Sequence, residues 1–343
     1  MLAYLVRRLL WAFVLILAVA LVTFVIFFVI PTNRVGNVRH RESTTNINEA
    51  VGVHGPVYLQ YGRFVWHLAH FSLGNSFRSE QSVREMVLSA APVTASLVIG
   101  GAVMWLLIAL PIGILSALRP RSALDRTANI FVLMGISVHP VWLGLILLYV
   151  FGYKLKVFPL GTYCEVFTPP SGTQCGGVIQ WFWHLVLPWF TFAALYAALY
   201  ARMVRANVLE ALHEEYVRTA RAKGASELRV VRRHVLRNAL LPVVTMLGMD
   251  IGVAMGGTLF IENVFSLPGL GKMLTRGLQT YDLPVILGVV SFMTFSVVIL
   301  NVVVDICYTL CDPRVRARAS IDHEDLVQVK AAAPKPAPAR VPA

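Results

Sequence analysis

Asp250 stands in the apolar run LPVVTMLGMDIGVAMGG, nine residues after Leu241, so a helix rising 1.5 Å per residue carries it about 13 Å into a bilayer. A carboxylate at that depth is costly and marks candidate function. Facing a cavity it would attract a cationic group such as an amino terminus; facing a neighbouring helix it would act as a hydrogen-bonded strut, and the sequence leaves both open. Cys164 and Cys175 lie eleven positions apart across TPPSGTQ, a candidate disulfide in an oxidising compartment. Cys307 and Cys311 have no further metal ligands beside them, so no metal centre is expected. GLGK at 269–272 ends like a phosphate-binding loop, but Ser266 stands where Gly is needed and Met273 where Ser or Thr is. His213 is followed by EEYV rather than by the spacing of a zinc hydrolase, and Ser137 lies in GIS without a nucleophile elbow. Neither a nucleotide site nor a hydrolytic centre is expected in this chain.

The elements that must hold these residues are membrane spans. The chain is 57% hydrophobic and 14% charged, against about 25% charged for soluble domains, and its mean hydropathy is +0.67. Six stretches of the 343 residues are long and apolar enough to cross: 9–31, 93–118, 128–152, 184–203, 240–261 and 284–310. The first is too long for a signal-peptide core and is expected to stay. With the amino terminus inside, 20 of the 30 Lys and Arg fall in cytoplasmic segments, which predicts an all-α membrane protein with both termini cytoplasmic. The net charge of +12 belongs to these membrane flanks and to anionic lipid rather than to nucleic acid.

Four regions follow: a first span over 1–31, an extracytoplasmic segment over 32–92, a core of five helices over 93–311 and a tail over 312–343. Tyr58, Tyr61, Phe64, Val65 and Leu68 are spaced for one helix face in the second region, predicting an amphipathic helix on the outer surface. SLPGLG should break the chain after the fifth span, with a helix resuming in KMLTRGLQTYD. The Ala/Pro-rich end of the tail cannot bury a core and is expected to be disordered. His139 before Pro140 reads as a kink, Asn301 and Asp305 as interhelical bonding, and Gly252, Gly256 and Gly257 as a close helix seam.

The segment 202–238 is polar, basic and helix-prone, between two spans. Ala206, Leu209, Leu212, Tyr216, Thr219 and Ala220 recur at three- and four-residue steps, which predicts that the fourth span runs out of the membrane as one helix. Gly224 should end it, because glycine adopts positive φ at low cost, and Ser226 should cap a second helix through Arg237. Small residues around the turn would let a partner approach. Arg218, Arg221 and Lys223, with Glu214, Glu215 and Glu227, would supply charged pairing to it. The plainer reading is a juxtamembrane helix lying on anionic lipid.

This loop resembles the cytoplasmic coupling motif of ABC importer permeases, E-A-A-x-x-x-G, with Arg218, Thr219, Ala220 and Gly224 at its positions and the acidic residue and first Ala replaced. YVRTARAKG followed by LRNALLP resembles the dipeptide and oligopeptide permease subfamily, as do YLVRRLL, GPVYLQYGRFVWHL, LGNSF, ENVFSLPGLGKML and NVVVDICYTLCDPRVR. The resemblance implies the type I permease fold in a bacterial cytoplasmic membrane, a second homologous permease, two ATPase subunits that bind ATP and Mg, and an extracytoplasmic binding protein that delivers peptide. It implies that Glu214, Tyr216, Thr219, Ala220, Lys223, Gly224 and Ala225 meet an ATPase subunit. The alternative is a secondary transporter driven by an ion gradient through Asp250.

Overall fold

A computed structural model describes residues 2–25, 56–70, 74–167 and 175–311, apart from the side chains of 2–9, 69 and 305–311. The polar first half of the 32–92 segment, the 312–343 tail and the side chains of Arg7, Arg8, Asp305, Cys307 and Cys311 therefore lie outside the described residues. Among the described residues the architecture is helical, with no strand beyond two isolated bridges.

Helix α1 (Leu2–Phe24) begins seven residues earlier than the expected first span, and α2 (Val57–Ala69) folds against it. Tyr61 donates its hydroxyl to the Leu17 carbonyl at 2.8 Å, and Phe64 is buried beside Phe24. Tyr58, expected on that face, is instead 73% exposed, so the packed face begins one turn later.

The core is built on α3 (Val83–Leu118) and α6 (Val178–Leu212), which run parallel. At 36 and 35 residues each is about 50 Å long, so both project beyond a hydrocarbon layer of about 30 Å. Glycines on α3 set their closeness. A Cβ at Gly100 or Gly101 would overlap Trp189 or Phe192, and one at Gly113 would stand 2.7 Å from the Ala201 carbonyl oxygen.

Between them α4 (Ala123–Ser137) and α5 (Pro140–Leu147) replace the single span expected over 128–152. The π-helical turn Leu148–Lys154 completes the second arm, and the arms meet at 104°. Pro140 offers no N–H and forces its predecessor out of the helical region, and His139 duly sits at ψ 132, its Nδ1 accepting from the Val141 N–H at 3.3 Å. The kink is therefore a full break.

After α6 come α7 (Glu215–Ala222), α8 (Glu227–Val230), a π-helical turn (Val231–Val235) and α9 (Leu236–Ala239). The chain closes with α10 (Leu241–Val264), α11 (Leu270–Thr280) and α12 (Leu283–Cys311). The α10–α12 seam uses Gly248, where a Cβ would overlap Val304, and Gly252, where one would touch Asn301 and Val297 at 3.2 Å. Gly256 and Gly257 are not part of this seam: nothing lies within 4 Å of a Cβ at Gly256, and Gly257 approaches only Phe192. Among the described residues four helices (α3, α6, α10 and α12) are long and apolar enough to cross a membrane, five with the bent pair, and the part of α1 whose side chains are described, Leu10–Phe24, is apolar.

A candidate coupling site

α6 does not run through to Ala220. It stops at Leu212, where the His213 ring bonds the Leu209 carbonyl at 2.7 Å and Glu214 turns extended at ψ 147. Glu214 and Glu215 then stand at the start of α7, where negative charge favours helix initiation. The expected single helix to Arg237 is likewise divided. Ser226 is extended, as an N-cap must be, but its hydroxyl makes no cap bond. Val230 and Val235, five residues apart, are both fully buried, and an α-helix would point them in different directions. The wider π turn between them brings both inward.

The turn after α7 is a Schellman motif. The Ala225 N–H donates to the Ala220 carbonyl at 3.2 Å and the Gly224 N–H to the Arg221 carbonyl at 2.9 Å, with Gly224 at φ +79. Ala220 and Ala225, half-buried, pack on the core together, and Val217 is fully buried. The turn is thus fastened to the bundle on one side. On the other, Glu214, Tyr216, Thr219, Lys223 and Gly224 face outward, and a Cβ at Gly224 would meet nothing within 4 Å. All seven residues singled out from the sequence lie on this capped helix and its turn, five on the open face and two beneath it.

The charges are arranged differently from the expectation. Arg221 pairs with Glu227 at 2.7 Å and Arg218 with Glu215 at 3.4 Å, so these four brace the element itself rather than wait for a partner. Such exposed pairs contribute about 0–1 kcal/mol. Glu214 and Lys223 have no ion pair among the described residues. Leu228, 78% exposed beside this face, was not singled out, because its spacing matches no buried neighbour.

A second anchor also went unread. Asp125 in the first turn of α4 is buried and accepts from Arg205 of α6 at 2.8 and 3.0 Å, from the Ser116 hydroxyl of α3 and from the Arg121 N–H. It ties three helices together near the turn. One carboxylate between two basic residues gives no periodic signal.

Asp250 is half-buried and its Oδ2 accepts from the Tyr200 hydroxyl at 2.7 Å, a bond from α6 to α10. Tyr196 and Tyr200 lie against Trp105 of α3 at ring separations of 4.6 and 5.9 Å. The carboxylate flanks an exposed stripe on α10 formed by Met246, Met249, Val253, Gly256 and Phe260. Cys164 and Cys175 are joined with their Cα atoms 5.3 Å apart, and the buried Cys164 sulfur also lies 3.3 Å from His184 Nδ1.

Two family models match the chain: binding-protein-dependent transport system inner membrane component over residues 109–317, and the N-terminal model of the same membrane component over residues 1–98. Oligopeptide transport system permease protein AppB of Bacillus subtilis (strain 168) is 33% identical over 320 residues, 92% of this chain and 99% of AppB. "Probable D,D-dipeptide transport system permease protein DdpB" of Escherichia coli (strain K12) is 33% identical over 330 residues, 90% of this chain and 96% of DdpB. Among solved structures, an inward-facing MetNI methionine ABC transporter chain superimposes with a TM-score of 0.53 at 18% identity, covering 66% of this chain and 96% of that one, a likeness of fold. The chain belongs to the family of inner membrane components of binding-protein-dependent transport systems, and is a multi-pass bacterial inner membrane protein.

Proposed function

We propose that this protein is one permease subunit of an ATP-driven peptide importer. It pairs with a second homologous permease, sits on two ATPase subunits that bind ATP and Mg, and receives peptide from an extracytoplasmic binding protein. The observation that carries the reading is α7, a helix whose inner side is locked into the bundle through Val217 while Tyr216, Thr219, Lys223 and Gly224 stay open. The peptide cargo is supported by the names of AppB and DdpB.

In this reading the bent pair is one span and α1 another, which gives six with both termini cytoplasmic. The turn then faces the ATPases, while α2, the Cys164–Cys175 loop and α11 lie outside. The mechanism follows from stiffness. A push on α7 passes to the π turn Val231–Val235, which packs on both α7 and α6, and α6 moves with α3 because aromatic rings and backbone interlock at Gly100, Gly101 and Gly113. Rotation of this block against the companion subunit opens the pathway to one side at a time. The exposed stripe on α10 is the surface it would present to that pathway.

Purification of tagged protein in mild detergent, followed by mass spectrometry and by uptake of radiolabelled peptide into vesicles, tests the assembly. Recovery of a second permease, ATPase subunits and a binding protein, with uptake that needs ATP, is the expected result. Recovery of this chain alone, with uptake that ignores ATP, would sink it.

A further inference from the structure

At the end of the molecule opposite the coupling turn, a cavity of about 620 Å³ opens between α11 and the turn that joins Asn75 to Ser82. Three cations line it: Arg78 from the turn, and Lys272 and Arg276 from one face of α11. Asp282, which lines the cavity, and Glu262, which bonds the Lys272 backbone, are already occupied. Asp282 accepts from the Ser76 hydroxyl and from the Phe77 N–H, and the fully buried Glu262 accepts from the Thr94 hydroxyl at 2.7 Å and from the Lys272 backbone N–H at 2.9 Å. None of the three cations has an ion pair among the described residues. Burial and then the charge of Arg276 lower the Lys272 pKa, with Glu262 opposing them. The rest of the lining is mixed: Gln81 offers its side-chain amide, the Thr280 hydroxyl already donates to the Arg276 carbonyl, and Met86, Ala90, Met273 and Val285 give an apolar floor.

We infer that this cavity receives clustered Asp or Glu side chains from the protein that docks on the outer face, and so is a charge-reading part of the docking surface for the binding protein. The inference rests on the importer reading above. A carboxylate is the matching chemistry because it accepts from both guanidinium and ammonium groups. A protein source fits better than a small free acid because Arg78 and Arg276 are exposed at the rim and only Lys272 is half-buried. Rim charges of this kind steer and select a macromolecular partner more than they enclose a ligand.

The test uses the full assembly in phosphatidylcholine nanodiscs, titrated with its fluorescent binding protein at low and high salt. The double variant Lys272→Glu/Arg276→Glu is expected to bind about tenfold more weakly and with a shallower salt dependence. Lys272→Gln/Arg276→Gln should fall between it and the parent, and basal ATPase activity should not change. Hexaglutamate should compete for the site, and hexalysine should not. Parental affinity and salt slope in the double variant would overturn the inference while ATP-dependent uptake by the same preparation kept the importer reading. A loss seen only with phosphatidylglycerol present would overturn it in favour of a lipid headgroup. Uptake that needs no external protein would remove the importer reading and the inference together.

Discussion

Gly224 shows how a single residue can be required by backbone geometry rather than by contact. Its φ of +79 closes the Schellman turn, and the space around it is empty. An L residue at such a φ costs about 1–2 kcal/mol, with Asn the mildest and β-branched residues the worst. On the proposed assembly, Gly224→Val should therefore reduce co-purification of the ATPase subunits about tenfold, since 1.4 kcal/mol is a factor of ten. Gly224→Asn should retain most of it. Quantitative immunoblots of the purified complex read both. Asp125 is the opposite kind of residue, fixed by its contacts. Asp125→Ala would leave Arg205 without its acceptor at the junction of three helices, and breaking a buried pair costs about 3 kcal/mol. A lower melting temperature in detergent is expected, with a smaller drop for Asp125→Asn, which keeps one acceptor oxygen.

The elements were legible in the sequence where one residue imposes a local rule. Pro140 announced a disturbance in the third span, SLPGLG announced the break before α11, and Gly224 announced the end of α7. Where tertiary packing decides, the pattern misled. The three- and four-residue spacing across Leu212 is real, yet the helix stops there, because Val217 is buried by a new helix direction. The π turn at Val231–Val235 follows from two buried valines five apart, which an α-helical reading of the same letters cannot accommodate. The glycine seam is a similar case: Gly248 faces Val304, whereas Gly256 faces open space, and only a partner helix distinguishes them. Gly248→Leu should separate α10 from α12 and lower thermal stability, while Gly256→Leu should leave it within a degree or so, about the scale of surface changes. Differential scanning fluorimetry of the two variants decides. In the loop between α5 and α6, maleimide added from outside should modify Cys164 and Cys175 only after a reductant, because both sulfurs are held in one bond. Prompt modification of untreated cells would show that the bond does not form there.

At the scale of the molecule the question is where the energy for transport enters. A gradient-driven transporter needs a titratable group that is exposed alternately to the two sides, and Asp250 is the candidate the sequence offered. In the fold that carboxylate accepts from Tyr200 and links α6 to α10, which is a strut's position, although it borders the exposed stripe of α10. The capped helix α7, by contrast, joins the bundle by packing and by the Arg221–Glu227 pair to α8, and presents an open polar face, which is what an input from outside the chain requires. Charge counts give an expectation of orientation, and of the expected docking turn the fold shows the cap itself, with Gly224 at φ +79 and Ala220 and Ala225 packed beneath it. The pathway was not readable from the sequence, since exposure of Met246, Met249 and Val253 depends on which helices the bundle leaves uncovered. Vesicles holding the complete assembly should therefore take up peptide with ATP inside and continue to do so when a protonophore collapses the gradient. Asp250→Asn keeps a hydrogen-bond acceptor for Tyr200 and should preserve that ATP-driven uptake, while Gly224→Val should abolish most of it. Collapse of uptake with the protonophore, together with loss in Asp250→Asn and no effect of Gly224→Val, would place the energy input at the carboxylate instead of the turn.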